Sequence, residues 1–300
     1  MKVLVTGGGG FIGCWIVKRL LAAGMEPRIF DLGEDRRLLR EIAGAPADRV
    51  EWLSGDVAEG AAVAAAAKGC GAIVHLAALL TPACIADPVR GARVNLIGHL
   101  NVLLAAREHA IGKVAYMSSI GVFGPDDNVQ PHPTTLYGAF KLAAEHSAPA
   151  FHEQDGVPSV GFRPYVVYGP GREHGLSAGP TLACRAAAEG RPYTFPIAGR
   201  FDMIHVDDVA HAFERVLEMP MAGARVLNLF GGERSAEAVV EAIRGLVPEA
   251  DIAIDGRPMP IAVPARDDEA ARLLPGWSAR SPEAGIADTI QYYRRRARHP

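Results

Sequence analysis

Short apolar runs alternate with amphipathic or alanine-rich stretches through the first half of the chain. KVLVT (2–6) is a short β-branched run, which predicts a buried strand. FIGCWIVKRLLAAG (11–24) has helical apolar spacing and ends on a glycine, which predicts a helix. The pattern predicts strands at 2–6, 27–31, 50–56, 72–78, 113–119 and 158–164, and helices at 11–24, 58–67, 89–110 and 137–154.

Strands that alternate with helices form βαβ units, in which helices cover both faces of a parallel sheet. The sequence therefore predicts an α/β fold with a doubly wound parallel sheet over residues 1–165. Beyond that point the pattern loosens, which predicts that residues 166–300 form mainly a smaller, mixed α/β lobe, with some segments returning to the core. Helices are predicted there near 180–189, 207–218, 235–246 and 283–296, and short strands near 225–229 and 251–254.

Composition narrows the class of partner. The 300 residues are 49% hydrophobic and 22% charged, and the net charge is −3, which indicates neither nucleic-acid nor anionic-membrane binding. No run approaches the roughly 18 to 20 apolar residues of a membrane span, and no signal peptide is evident. The four scattered cysteines show no metal-binding spacing. We expect a cytoplasmic protein with reduced thiols, no metal and a small-molecule substrate.

The segment TGGGGFIG (6–13) follows the first predicted strand and opens the first predicted helix. Three of its glycines are spaced three residues apart, as in a dinucleotide-binding loop. A tight turn, close approach to a pyrophosphate and close helix packing each require a residue without a Cβ. The free N–H groups at the helix start would then face the phosphates. The segment predicts a Rossmann-type domain whose loop contacts a cofactor through Gly7, Gly10, Phe11, Ile12 and Gly13.

The carboxylate of Asp31, at the end of the second predicted strand, helps to distinguish NAD from NADP as the cofactor. Asp31 lies 18 residues after Gly13, where it can accept hydrogen bonds from the adenosine ribose and would repel a 2′-phosphate. This favours NAD, although Arg36 and Arg37 nearby leave NADP as the less favoured alternative. Asp56, after the third strand, either faces the adenine or caps a turn or helix.

The pentapeptide YGAFK (137–141) places a phenol and an ammonium one helical turn apart. Tyr137 and Lys141 would therefore lie side by side, either as surface neighbours or as an acid–base pair. A free tyrosine titrates near roughly pH 10, and a nearby cation would lower that pKa. Together with the glycine loop, the pair favours proton transfer.

Taken in order, these motifs resemble the NAD-dependent epimerase/dehydratase family, the extended branch of the short-chain dehydrogenase/reductase superfamily. The resemblance covers nearly the whole chain. It rests on TGGGGFIG (6–13), HLAA (75–78), VNLIGHLNVL (94–103), MSSIGVFG (117–124), YGAFK (137–141), RPYVVYGPG (163–171) and HVDDVA (205–210).

The resemblance implies roles for individual residues. Tyr137 would be the acid/base, Lys141 would hold the nicotinamide ribose, and Ser119, with Ser118 as the alternative, would hold the reacting oxygen. A homodimer through helices 89–110 and 137–154 is also implied. The further cofactor contacts that it implies are Asp56, Val57, Leu76, Ala77, Ala78, Asn95, Ser118, Tyr165 and Val166.

Several positions depart from the nucleotide-sugar enzymes of this branch. Val166 stands where they often carry an asparagine, and Phe201 stands where an arginine often precedes the aspartate. Both departures disfavour a nucleotide-diphosphate sugar. Ile120 and Gly121 follow Ser119 in place of the Asp-Glu pair of the dehydratase subgroup, which disfavours a 4,6-dehydratase.

The loop GPGREHGLSAG (169–179) lies where such enzymes face their substrate. Arg172 can bind a carboxylate or phosphate bidentately, although a solvated loop arginine is an equal alternative. The candidate substrate residues are Ser119, Arg172, His174 and Ser177.

The sequence thus predicts an NAD-dependent dehydrogenase acting on a secondary alcohol of a sugar, sugar acid or related polyol-like compound. The first alternative is a sugar or nucleotide-sugar epimerase that retains its NAD and returns the hydride to the opposite face. The second is a non-catalytic NAD-binding regulator, which the intact set of Ser119, Tyr137 and Lys141 disfavours.

Overall fold

The computed structural model describes residues 1–298, which contain twelve strands and twelve α-helices. The strands are β1 Lys2–Thr6, β2 Glu26–Asp31, β3 Glu51–Ser54, β4 Ala72–His75, β5 Val114–Met117, β6 Ser159–Pro164, β7 Val166–Tyr168, β8 Tyr193–Ala198, β9 Arg200–His205, β10 Ala224–Leu229, β11 Glu233–Ser235 and β12 Ile252–Pro258.

The helices are α1 Phe11–Ala22, α2 Arg37–Ala43, α3 Gly60–Ala67, α4 Thr81–Ala86, α5 Pro88–Ala92, α6 Gly98–Glu108, α7 Leu136–Asp155, α8 Gly179–Ala188, α9 Val206–Glu218, α10 Ala236–Leu246, α11 Glu269–Leu273 and α12 Pro282–Arg298. A π-helical turn, Arg93–Ile97, joins α5 to α6. Short 3₁₀ helices occupy Ala45–Arg49, Ile120–Val122 and Leu176–Ala178.

Seven parallel strands form the central sheet, in the order β10-β6-β5-β4-β1-β2-β3. The strand order reverses between β1 and β4, whose last residues Thr6 and His75 are paired in register. Loops that leave two such strands diverge, which opens a crevice at their carboxyl ends. The predicted α/β, doubly wound fold is confirmed.

Helices cover both faces of this sheet because successive strand residues point to opposite sides. On β1, Val3 and Val5 belong to the apolar core that also contains residues of α1 and α9. Leu4, between them, belongs to the core that contains residues of α3 and α6. All three side chains are fully buried, so one strand contributes to two layers of core.

The C-terminal part has a core of its own. Strands β11, β9 and β7 form a mixed three-stranded sheet, and β12 pairs with β8. Helices α8, α10 and α12 pack around Phe195 and Phe201 in this core. However, β10 joins the central sheet and α9 packs against α1. The division of the chain at residue 165 stays a prediction, and the last two residues of the predicted lobe lie outside the described part.

The sequence pattern does not predict several features of this architecture, among them helices α2, α4 and α11. The predicted helix 89–110 is interrupted by the π-helical turn, in which the amide of Asn95 hydrogen-bonds to both backbone groups of Leu79. Strands β7, β8, β9 and β11 were also missed. Strands as short as the three residues of β7 and β11 cannot show a period, so their identity depends on the strands that they pair with.

Candidate active site

A cavity of about 230 Å³ lies in the crevice at the carboxyl ends of β1 and β4. It collects predicted cofactor residues that are far apart in the sequence, namely Gly7, Gly10, Asp31, Asp56, Val57, Leu76, Ala77 and Ala78. Its remaining walls are Phe30, Leu32, Gly55, Leu79, Arg90 and Val94. The crevice is therefore shaped by the ends of four neighbouring strands, β1 to β4.

The glycine loop is packed so closely that side chains would not fit. Gly7 has a φ of +70°, and a Cβ there would lie 2.7 Å from the backbone nitrogen of Ala77. A Cβ on Gly13 would lie 2.5 Å from the carbonyl oxygen of Gly7. No side chain caps the first turn of α1, which begins at Phe11. The loop thus has the geometry of the predicted cradle for phosphates.

The carboxylate of Asp31 lies beside this loop. Its Oδ2 accepts a hydrogen bond from the Gly9 N–H at 3.0 Å, and its Oδ1 accepts one from the Leu32 N–H at 2.8 Å. Arg36 and Arg37, which kept NADP as an alternative cofactor, both form hydrogen bonds within the protein. Arg36 donates to the carbonyl oxygens of residues 47 and 50, and Arg37 pairs with Asp35 at 2.6 Å. This geometry favours a cofactor without a 2′-phosphate.

Asp56 forms an ion pair in the cavity wall. Its Oδ2 accepts a hydrogen bond from Arg90 at 2.6 Å, and its Oδ1 accepts one from the Ala58 N–H at 2.9 Å. Burial raises the pKa of Asp56, but the Ala58 N–H and the Arg90 guanidinium outweigh it and leave the pKa below its ordinary value. The sequence analysis missed Arg90, because nothing in the sequence around α5 indicates that it faces Asp56.

Tyr137 and Lys141 lie one turn apart at the start of α7. The helix is capped by Thr135, whose Oγ1 accepts a hydrogen bond from the Gly138 N–H at 3.1 Å. The Lys141 ammonium lies 5.8 Å from the centre of the Tyr137 ring and donates to the Met117 carbonyl at 2.6 Å. Lys141 is buried and Tyr137 is half-buried. The two are neighbours, as their spacing predicts.

Of the two candidate serines, Ser119 is the one beside Tyr137. Its Oγ accepts a hydrogen bond from the Gly121 N–H at 3.0 Å. A Cβ on Gly121 would lie 3.2 Å from this Oγ and 3.8 Å from the Tyr137 ring, so both side chains border one small space. Ser118 is buried and donates instead to Glu145. Glu145 also accepts from Arg163 Nε at 2.7 Å, so Ser118 belongs to a buried ion-pair network.

Burial shifts the pKa values of both Tyr137 and Lys141, and that of Tyr137 moves in the direction opposite to the one that the sequence analysis expected. Burial raises the pKa of Tyr137 to about 12, against the hydrogen bond from Ser119 and the charge of Arg172. Burial lowers the pKa of Lys141 to about 8, against the Glu145 carboxylate, which raises it. The sequence argument expected a nearby cation to lower the pKa of Tyr137. Among the chain's own groups burial outweighs the cations, and the cation that acts is Arg172.

Three predicted cofactor contacts use their side chains within the protein. The Asn95 amide binds the backbone of Leu79, a residue of the cavity wall. The Tyr165 hydroxyl donates to the Ile261 carbonyl at 2.6 Å. Val166 is fully buried in the C-terminal core, which leaves only its backbone for a ligand. Their contacts to a cofactor stay predictions.

Of the predicted substrate residues in the loop 169–179, Arg172 and Ser177 contact each other and His174 does not join them. Arg172 donates through Nη2 to Ser177 Oγ at 2.7 Å, and its guanidinium lies 5.6 Å from the centre of the Phe11 ring. His174 is exposed. Phe201 is fully buried, and Arg200 beside it is exposed and pairs with Glu233. A core phenylalanine therefore stands at the position where the sequence analysis noted that nucleotide-sugar enzymes often carry an arginine.

None of the helices described is long and apolar enough to span a membrane. Residues 1–298 contain no group of three or more His, Cys, Asp or Glu side chains that could hold a metal ion. The four cysteines are free and buried.

Comparison with known proteins agrees with the predicted family. The model of the NAD dependent epimerase/dehydratase family matches residues 3–229. UDP-glucose 4-epimerase of Mycolicibacterium smegmatis is 29% identical over 315 residues, which cover 99% of this chain and 100% of that protein. Cinnamoyl-CoA reductase 1 of Petunia hybrida is 29% identical over 247 residues, which cover 75% of this chain and 71% of that protein.

A solved structure gives the same result at the level of the fold. The crystal structure of the Thermus thermophilus UDP-glucose 4-epimerase in complex with NAD superposes with a TM-score of 0.79 and 27% identity. The match covers 98% of this chain and 99% of that one. The chain belongs to the NAD-dependent epimerase/dehydratase family.

Proposed function

We propose that this protein binds NAD in the cavity beside the glycine loop and oxidises a secondary alcohol of a sugar, sugar acid or polyol-like substrate. The observation that carries the proposal is the arrangement of Ser119, Tyr137 and Lys141. Ser119 follows β5, the sheet neighbour of β4, and the residues that follow β4 line the cavity. Ser119 and the cavity therefore lie at the same edge of the sheet, which supports the proposal.

The residues present fit NAD. Gly7 and Gly13 have no room for a Cβ, as the tight turn and the close helix packing of a dinucleotide-binding loop require, and Gly10 between them lines the cavity. Asp31 presents a carboxylate to the same cavity, where the adenosine ribose would be held. Lys141 has hydrogens left for a nicotinamide ribose besides the one given to Met117. When bound, NAD supplies the hydride acceptor.

The chain's own groups would hold the substrate and move its proton. Ser119 would hold the hydroxyl oxygen beside Tyr137, and Tyr137 would accept the hydroxyl proton as the carbon loses hydride. A phenol with a pKa of about 12 is a poor base at neutral pH. Added positive charge near the ring is therefore required, and the oxidised nicotinamide carries such a charge.

A second candidate is an epimerase that keeps its NAD. It is favoured by the 29% identity with a UDP-glucose 4-epimerase over nearly the entire length of both proteins. Proton abstraction by Tyr137 begins both reactions, so the site is compatible with either. Phe201 and Val166 are buried in the core, and neither side chain can hydrogen-bond a diphosphate. These two positions therefore disfavour a nucleotide-diphosphate sugar as the substrate.

The test begins with the cofactor content of purified, denatured protein, measured by absorbance and an NAD assay. Sugars, sugar acids and polyols are then screened with added NAD at 340 nm. We expect NADH formation with at least one of these compounds, and a rate reduced roughly 10²- to 10⁴-fold by Tyr137→Phe. Tyr193→Phe is the matched control, because Tyr193 lies on β8 of the C-terminal lobe.

The outcomes separate the candidates. Retention of about one NAD per chain without release of NADH from any substrate would favour the epimerase and reject the dehydrogenase. Equal rates for Tyr137→Phe and Tyr193→Phe would reject the acid/base role. Unchanged biological activity of Tyr137→Phe would favour the non-catalytic regulator.

We also propose a homodimer through the faces of α6 and α7. Ile97 and Leu104 are apolar side chains that are 43% and 39% exposed on or beside α6. Light scattering coupled to size exclusion should give twice the chain mass, and Leu104→Glu should give a monomer. A wild-type monomer at micromolar concentration would reject the dimer. The cytoplasmic location stays a prediction.

A further inference from the structure

Arg172 differs from the other arginines of this protein. Within residues 1–298 it is the one arginine that is neither exposed nor paired with a carboxylate. Partly buried arginines elsewhere have acidic partners, such as Asp56 for Arg90 and Glu145 for Arg163. The other arginines without an acidic partner are all exposed, namely Arg49, Arg93, Arg225, Arg244, Arg257, Arg266, Arg272, Arg294, Arg295 and Arg298.

The guanidinium of Arg172 is held in place but is incompletely bonded. Nη2 donates to Ser177 Oγ at 2.7 Å, and the Phe11 ring lies 5.6 Å from the guanidinium carbon. Nε is buried and has no hydrogen-bond partner within the described residues. Buried donors without an acceptor are rare in folded proteins. A carboxylate or other anion bound by the remaining N–H groups of the guanidinium would supply the missing negative charge.

The position of Arg172 relates it to the reacting groups. Its positive charge favours the ionised form of Tyr137, and Tyr137 in turn raises the pKa of Arg172, which burial lowers. The guanidinium also borders Phe11 at the entrance of the glycine loop. Arg172 therefore borders the residue that follows the predicted cofactor loop, and its charge acts on the predicted base.

A nucleotide diphosphate is a poor match for these surroundings. Phe201 is fully buried and cannot bind a phosphate, and Arg200 beside it is turned to solvent and paired with Glu233. A single guanidinium oriented by Ser177 suits one planar carboxylate, which accepts two parallel N–H bonds.

We propose that Arg172 binds the carboxylate of the substrate, which makes the substrate a hydroxy acid such as a sugar acid. The proposal rests on the proposed oxidoreductase function, because it names the substrate class of the same site. Arg172 selects an acid over the corresponding neutral sugar, and Ser177 orients the guanidinium that does so.

The experiment uses isothermal titration calorimetry on the intact protein. NADH is titrated first, and the protein saturated with NADH is then titrated with D-glucuronate, D-glucose and D-glucose 6-phosphate. These probes share a ring and differ in carrying a carboxylate, no charge or a phosphate. We expect D-glucuronate to bind at least roughly tenfold more tightly than the other two.

Variants connect the preference to the residue. Arg172→Gln should weaken D-glucuronate binding roughly 10- to 100-fold and change the NADH Kd less than threefold. Arg172→Lys retains the positive charge but not the planar fork of the guanidinium. Its affinity for D-glucuronate should lie between those of the wild type and Arg172→Gln. Arg257→Gln is the matched control, an exposed arginine without an acidic partner, and should bind like the wild type.

Each other outcome overturns the inference. A wild type that binds D-glucose as tightly as D-glucuronate has no carboxylate site, and tighter binding of D-glucose 6-phosphate assigns Arg172 to a phosphate. Loss of NADH affinity in Arg172→Gln with D-glucuronate binding intact assigns Arg172 to the cofactor. A wild type that does not bind NADH rejects the proposed function instead, and D-glucuronate titrated without nucleotide then tests Arg172 separately.

Discussion

Replacing Gly13 with alanine tests whether the glycine loop depends on close packing. The added Cβ would lie 2.5 Å from the Gly7 carbonyl oxygen and 2.7 Å from the Gly8 Cα. Both are backbone atoms, so no side-chain rotation relieves the contact and the loop must move away from α1. Overpacking of this kind costs about 1–3 kcal/mol. The higher helix propensity of alanine offsets up to about 1 kcal/mol of that cost.

We expect Gly13→Ala to lower the free energy of unfolding by about 1–2 kcal/mol, measured by urea denaturation with tryptophan fluorescence. The NADH Kd should rise at least roughly tenfold, because the phosphate-facing backbone is displaced by tenths of an ångström. The unfolding and binding assays together distinguish local distortion of the loop from general loss of stability.

Two control glycines separate the effect of close packing from those of helix propensity and left-handed backbone strain. Gly245 lies exposed in α10 with no atom within 4 Å of an added Cβ, so Gly245→Ala should stabilise by about 0.5–1 kcal/mol. Gly24 has a φ of +71° and open space, so Gly24→Ala measures left-handed strain alone, about 1–2 kcal/mol. Both should bind NADH like the wild type. If Gly13→Ala is as stable and binds as tightly as Gly245→Ala, the packing argument is wrong.

Three further predictions concern charged groups. The NADH Kd should rise as pH rises through about 8, because burial lowers the pKa of Lys141 to about 8 and the ammonium is lost above that pH. Glu145→Gln should move this midpoint to lower pH, because the Glu145 carboxylate raises that pKa, and a fixed midpoint in fluorescence titrations would contradict the assignment. Arg163→Met should lower the free energy of unfolding by about 3–5 kcal/mol, because it leaves Glu145, with a side chain only 4% exposed, unpaired. The double variant with Glu145→Leu should recover most of that loss in urea denaturation, and equal losses in the single and double variants would refute the explanation. Asp31→Ala should reduce the preference for NADH over NADPH at least roughly tenfold, and an unchanged ratio of Kd values would place the discrimination elsewhere.

The sequence by itself determined the features that arise over a few residues. The spacing of Gly7, Gly10 and Gly13 predicted the loop, because the turn and the packing of Gly13 on Gly7 arise within a few residues. The interval from Tyr137 to Lys141 predicted neighbours, because a helical turn brings residues four apart together. Alternating strands and helices predicted the doubly wound sheet for the same reason, since apolar periodicity is a local signal.

Only the tertiary structure decided which long side chains face which partners. Ser118 and Ser119 are adjacent in sequence, but the first bonds Glu145 on α7 and the second borders Tyr137. Likewise, Arg90 reaches Asp56 across 34 residues, whereas Arg172 has no carboxylate beside it in the described chain. Such contacts depend on how distant elements pack and on which buried charges lack a partner. The order of residues along the chain contains neither piece of information.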